Sequence, residues 1–458
     1  MKDMTKGGEM RLILSFAIPM LIGNIFQQAY NMVDGIIVGQ YEGPDALAAV
    51  GTSFPIIFLV VAVMMGLAMG ASILISQFFG AKQYDQMRRA TSSVLIFTFI
   101  GCVALSVIGY FASPFLLKTL LDVPDEVLKN SVTYLQIYFI GLIFMYFYNV
   151  VSALLRAVGD SRNPLYFLIV AALINIGLDW YFVAELGWGV AGVAWATLIA
   201  QGVSAVIAVV FVYKKVPLFR FGIKDFVFDR KLFAISVKLG IPSSIQQAVL
   251  ALGFVVIQRL VNGFGGNTMA AFTAASKIDQ LATMPIMNIG LALATFAGQN
   301  IGAGHLDRVK VGFRKTLLIS AVCCAVMTGV IFLFGKYLIG FFVGANNGDA
   351  KNAEVLRQGV EYLTVVVCFY LLFSVMNTIT SLLRGCGDVI YSTVVTFTAF
   401  GVRLIAAYSL AQVIGYRCIW WSLPIGWGVA VAMALIRYAG GRWQTKAVVH
   451  APPELEEG

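Results

Sequence analysis

FAIPMLIGNIFQQAYNMVDGIIVGQ, residues Phe16 to Gln40, is long and apolar enough to cross a bilayer as a helix. It is not uniformly apolar. Asn24, Gln27, Asn31 and Asp34 follow at steps of three, four and three residues. On a helix that spacing puts all four on one face. Tyr30 flanks the same stripe. An acid within a span is costly against lipid, so it faces protein or a wet cavity. Pro19 removes one backbone donor near the start and permits a bend. A bent helix whose polar stripe ends in a carboxylate points to a transport path. The plainer account places Asp34 at the water boundary, merely solvated.

Working outward, the whole chain has this character. It has 458 residues, 59% hydrophobic and 12% charged. A soluble chain carries roughly a quarter charged residues. The reading is an all-α polytopic membrane protein. A β-barrel is excluded because the apolar runs exceed ~18 residues and do not alternate. The net charge of +9 sits in the loops, and no basic arm interleaved with aromatics suggests nucleic acid. Cys102, Cys323, Cys324, Cys368, Cys386 and Cys418 form no CxxC pair and read as small core residues. The only histidines, His305 and His450, lie outside the spans, which argues against an enzyme built on intramembrane histidines. No GxxxxGK[ST] stretch is present to bind ATP, and no cofactor is expected. The short charged start, MKDMTKGGEMR, does not read as a cleavable signal.

Twelve apolar spans are expected. Six cover 12–39, 46–79, 91–117, 127–156, 164–183 and 190–213. Six more cover 234–263, 268–300, 313–341, 354–384, 391–411 and 418–438. Lys and Arg concentrate at the two ends of the chain and in the loops after even-numbered spans. The opposite loops hold only Lys118, Lys129, Lys336, Lys351, Arg357 and Arg417. The positive-inside rule then makes both termini cytoplasmic.

The two halves repeat. LLRAVGD (Leu154–Asp160) matches LLRGCGD (Leu382–Asp388), and AIPM (Ala17–Met20) matches GIPS (Gly240–Ser243). DALAAVGTSF (Asp45–Phe54) faces TMAAFTAASK (Thr268–Lys277). GLAMG (Gly66–Gly70) faces GLALA (Gly290–Ala294), and QFFGA (Gln77–Ala81) faces QNIGA (Gln299–Ala303). Six spans per half give both repeats one orientation, related by a pseudo-twofold axis along the membrane normal. The expected domains are a six-helix lobe over 1–213, a cytoplasmic linker over 214–233, a second six-helix lobe over 234–441 and a cytoplasmic tail over 442–458.

These paired segments resemble the multidrug and toxic compound extrusion (MATE) family over nearly the whole chain, and within it the DNA-damage-inducible-F-like branch. The resemblance implies a V-shaped antiporter that exports amphipathic, often cationic, small molecules in exchange for sodium or protons. It also implies a coupling-ion site at Asp34 in YNMVDGIIVG, Asn175 and Asp179 in NIGLDWYF, and Thr197 in GVAWATLIAQ. The C-lobe acids of another bacterial branch are missing: neither Ile235–Gly263 nor Leu363–Leu383 contains Asp or Glu. That departure favours coupling in the first lobe.

The residues support the site without the family. Spans one and five run outward and span six runs inward, so Asp34, Asp179 and Thr197 share an outer depth. Asn175 and Asp179 are four apart and share a face. Oxygen-rich clusters suit hard cations. The alternative is interhelical hydrogen bonding that only holds the bundle together. A substrate cavity is expected along Asn24, Gln27, Tyr30 and Asn31, with Gln246, Gln247, Asn288 and Asn377 in the second lobe. For these, helix-to-helix bonding is an equal alternative. The expected protein is a monomer in the plasma membrane bilayer and not an enzyme. The rival function is a lipid or lipid-linked precursor flippase, which Lys238, Arg259 and Arg403 keep in view as cations for phosphate groups.

Overall fold

The computed structural model describes residues 2–41, 43–343 and 350–449. Among these residues there is no strand. The helices are α1 (Glu9–Tyr41), α2 (Gly43–Gly80), α3 (Tyr84–Phe115), α4 (Asp125–Ala157), α5 (Arg162–Asp179) and α6 (Gly189–Lys215). They continue as α7 (Arg230–Gly263), α8 (Gly266–Gly302), α9 (Leu306–Val343), α10 (Ala350–Val367), α11 (Tyr370–Gly385), α12 (Val389–Ile414) and α13 (Arg417–Ala439). Among the described residues, eleven helices are each long and apolar enough to cross a membrane. A bent pair, Asn352–Val367 with Tyr370–Gly385, makes the twelfth span.

The tenth span departs from the single helix expected over 354–384. It bends by 51° between α10 and α11. Val365, Val366 and Val367 precede the break, and β-branched residues have low helix propensity. Backbone groups freed inside a membrane need partners within the protein. Here α9 supplies side-chain donors on both sides of the break. Thr328 Oγ1 donates to the Val367 carbonyl at 3.4 Å, and Cys324 Sγ donates to the Tyr370 carbonyl at 3.5 Å.

The repeated LLRxxGD motif ends one helix in the same way in both halves. Gly159 and Gly387 take φ of 83° and 90°, a region that favours glycine. Gly159 N–H bonds to Arg156 O at 3.0 Å and Asp160 N–H to Leu155 O at 2.8 Å. Gly387 to Arg384 and Asp388 to Leu383 repeat those bonds at 3.0 and 2.8 Å. This is a Schellman turn. Asp160 Oδ1 then accepts the N–H of Arg162 and Asn163 at the start of α5. Asp388 instead pairs with Arg437 at 2.7 Å.

The chain forms two compact units. Among the described residues, one holds Lys2 and Asp3 together with those of Ile18–Ser244. The other holds Met4–Ala17 and the described residues from Ile245 onward. The change of unit falls beside Pro19 in α1 and Pro242 in α7. Local bonding explains both boundaries. Met4 N–H donates to Gln299 Oε1 at 2.9 Å, and Glu9 pairs with Lys315 at 2.7 Å and Arg308 at 3.2 Å. These bonds tie the start of α1 to the α8–α9 corner. In the first unit, the early part of α7 meets α2 at glycines. A Cβ on Gly70 would lie 2.4 Å from the backbone nitrogen of Gly240, and one on Gly66 2.2 Å from that of Ser244. GLAMG is thus a small-xxx-small contact that lets two backbones touch.

Candidate functional site

The first unit brings together all four residues expected to hold an ion. Asp179 is the last residue of α5, where the helix widens into a π-helical turn over Trp180–Glu185. Such turns are rare and recur at functional sites. Asn175 lies one turn earlier on the same face. Both are buried, at 2% and 0% exposure for Asn175 and Asp179. Asn175 Nδ2 donates to Thr197 Oγ1 on α6 at 3.4 Å. The Asp34 carboxylate, half-buried on α1, faces that of Asp179.

These atoms are almost all acceptors. Asp34 Oδ1, Asn175 Oδ1, both carboxylate oxygens of Asp179 and Gln201 Oε1 are buried without a hydrogen-bond donor. Buried polar atoms are normally satisfied, so several unsatisfied acceptors in one place need explaining. Two carboxylates that face one another cannot both stay charged cheaply without a proton or cation between them.

Around the acids lie Tyr30 of α1 and Tyr134 of α4. A cavity of about 20 Å³ adjoins Thr197 and Gln201 and is walled by Tyr134, Tyr138 and Met145. That is room for one water-sized species. Gln201 belongs to the α6 polar stripe Thr197, Gln201 and Ser204 that the sequence shows, whereas Tyr134 and Tyr138 of α4 read from sequence as packing residues with some able to face the cleft. The signal for Gln201 was its place four residues after Thr197, on the same α6 face.

α1 has two exposed faces. Ile18, Ile22, Ile25, Met32 and Ile36 form an apolar stripe, and Gln27 and Asn31 are exposed on another side. Asn24 and Tyr30 are half-buried. The apolar stripe suits lipid and the polar one suits water. In the second unit most expected cavity residues bond to protein. Gln246 Nε2 donates to Thr396 Oγ1 at 2.6 Å, Asn288 Nδ2 to Met284 O at 2.9 Å, and Asn377 Nδ2 to Ile286 O at 3.0 Å. Gln247 is exposed.

The second unit has an ionic cluster of its own. Asp279 on α8 accepts a hydrogen bond from Tyr370 Oη at 2.7 Å, beside the break in span ten. Tyr362 and Arg403 are its neighbours. Its acid comes from span eight, not from span seven or the inner part of span ten, where acids are missing.

A family model described as MatE matches residues 19–181 and 242–409. The chain belongs to the MatE family. The two matched segments begin beside Pro19 and Pro242 and cover each repeat once. This MatE chain is 29% identical over 446 residues to "Probable multidrug resistance protein YoeA" of Bacillus subtilis (strain 168), covering 94% of each. It is also 29% identical to "Probable multidrug resistance protein YpnP" of the same strain, covering 96% of this chain and 97% of that one. Its fold matches the solved "Crystal structure of MATE in complex with MaL6" with a TM-score of 0.88 at 24% identity, over 96% of this chain and 97% of that chain. MatE proteins are transporters and not enzymes, so this is a multi-pass membrane transporter.

Proposed function

We propose that the protein is a secondary antiporter of the plasma membrane. It exports amphipathic, cationic small molecules in exchange for sodium ions or protons, and Asp34, Asn175, Asp179 and Thr197 hold the coupling ion. One observation carries this reading: two carboxylates face each other in a cluster where several buried acceptor oxygens have no hydrogen-bond donor. The description of two relatives as multidrug resistance proteins supports drug export over lipid flipping.

The coupling follows from charge. With no ion bound, two carboxylates repel in a low-dielectric setting. One proton or one sodium ion relieves that repulsion, so the two ions compete for one place. Asn175 and Thr197 add neutral oxygens to a sodium shell. Asp34 sits on α1, so occupation of the site biases the shape of that helix, and Pro19 is where its backbone ladder is weakest. Asn24, Gln27, Tyr30 and Asn31 on the same helix form the drug-facing stripe, whose ring attracts cations. Ion and drug binding to one helix are then coupled, and coupling is reciprocal.

The test is efflux of a fluorescent organic cation from proteoliposomes, with sodium and proton gradients imposed separately. Either gradient alone drives efflux by the wild type, and neither drives it through Asp34→Asn. Efflux that ignores both gradients overturns the reading.

A further inference from the structure

The second half of the chain repeats the first without a gap from residue 125 to 187. At an offset of 228 (Leu154 to Leu382), Glu126-Val127-Leu128 meets Glu354-Val355-Leu356 and Tyr134-Leu135 meets Tyr362-Leu363. Asn149 meets Asn377. At the far end Gly187 meets Gly415, with φ of 63° and 58°. Along this alignment Asn175 becomes Arg403 and Asp179 becomes Ala407. At the offset of the first helices, 223 (Pro19 to Pro242), Asp34 becomes Ile257. Ala407 and Ile257 are fully buried. The second repeat has therefore lost both carboxylates of the first site and gained a guanidinium in place of its amide.

That guanidinium is conspicuous. Arg403 is 8% exposed, and its Nε is buried without a hydrogen-bond partner. It lies 6.0 Å from the Phe254 ring centroid. The carboxylate in its neighbourhood is Asp279, beyond direct ion-pair range. Tyr362, the repeat partner of Tyr134, belongs to the same cluster. The titratable groups packed around Asp279 are Arg403 from α12, Tyr362 from α10, Tyr370 from α11 and, behind Tyr370, Cys324 from α9. From α7, Phe254 lies against Arg403, and Ile257, Leu260 and Val261 join the apolar core around Tyr362 and Tyr370. Lys277, on the helix of Asp279, points to the Phe342 ring at 5.9 Å instead. An arginine does not give up its proton in a protein. A fixed cation in the neighbourhood favours the charged form of a buried acid.

We propose that Arg403 is a tethered cation. In the second repeat it plays the part that an exchangeable proton or sodium ion plays at Asp34 and Asp179, so only the first repeat takes up a coupling ion. The first-repeat half of this statement rests on the function proposed above. The second-repeat half stands on Arg403 and Asp279 alone.

The test counts ions bound to purified protein, by proton release and by sodium titration. It uses Arg403→Asn, which restores the amide of the first repeat, in an Asp34→Asn background that silences the first site. Arg403→Asn gains about one bound proton or sodium ion per chain, and adding Asp279→Asn abolishes the gain. A folded Arg403→Asn protein with no gain overturns the proposal. If Asp34→Asn alone binds ions like the wild type, the first-site reading fails while the Arg403 gain is still read separately. Thermal melts guard against misfolding. Arg403→Leu and Asp279→Leu each lower Tm, because each strands one charge, and the double variant recovers most of the loss. A double variant no more stable than the worse single one also overturns it.

Discussion

On the proposed function Asp34 and Asp179 act as one unit, and this sets the pattern expected of their variants. Asp34→Asn keeps the size of the side chain and removes a charge. It is expected to fold normally and to lose gradient-driven efflux, and Asp179→Asn is expected to do likewise. The double variant should be no worse than either single one, because residues that share one ion are not additive. Flux assays on the three purified proteins at matched stability check this. Thr197→Val removes a neutral oxygen only. It should weaken sodium-driven efflux while leaving proton-driven efflux near wild type, since a proton needs no shell. At this scale much was legible. An acid inside an apolar run announces itself, and the four-residue step from Asn175 to Asp179 fixes a shared face. Tyr134 and Tyr138 were less legible, because α4 is rich in aromatics and spacing does not say which rings turn toward an acid. The partners of Asp279 were also hidden, since Tyr370 and Arg403 lie far along the chain.

Helix elements show where the sequence runs out. Eleven spans were legible because their apolar length leaves no other solution. The break in span ten was not, because its partners, Thr328 and Cys324, come from another helix. Thr328→Val keeps the shape and removes the donor to Val367 O. It should lower stability by about 1 kcal/mol, the worth of one hydrogen bond, read as a lower Tm in detergent. Glycine contacts give a paired test. Gly70→Ala drives a Cβ into the backbone of Gly240 and should cost about 1–3 kcal/mol. Gly401→Ala, in open space on α12, should be neutral or stabilising by up to about 1 kcal/mol. Equal melts for the two variants would contradict the close α2–α7 approach.

For the whole molecule, the paired motifs made the twofold repeat visible before any coordinates. The reason is physical: each LLRxxGD motif is a Schellman turn that tolerates few residues at its glycine. The unit boundaries inside α1 and α7 were less visible, since they depend on hydrogen bonds of Met4 and Glu9 to distant residues. By the positive-inside rule, loop charge supports the proposal that both termini are cytoplasmic. Single cysteines test that placement. Lys224→Cys should react with an impermeant reagent only in inside-out vesicles, and Glu126→Cys only from outside intact cells. The central claim is that the Asp34–Asp179 pair couples ion to drug. Its most direct test compares drug counterflow with gradient-driven efflux in one preparation of Asp34→Asn. The account predicts that counterflow, which needs no ion gradient, survives while gradient-driven efflux is lost. Gradient-driven efflux at the wild-type rate would contradict it.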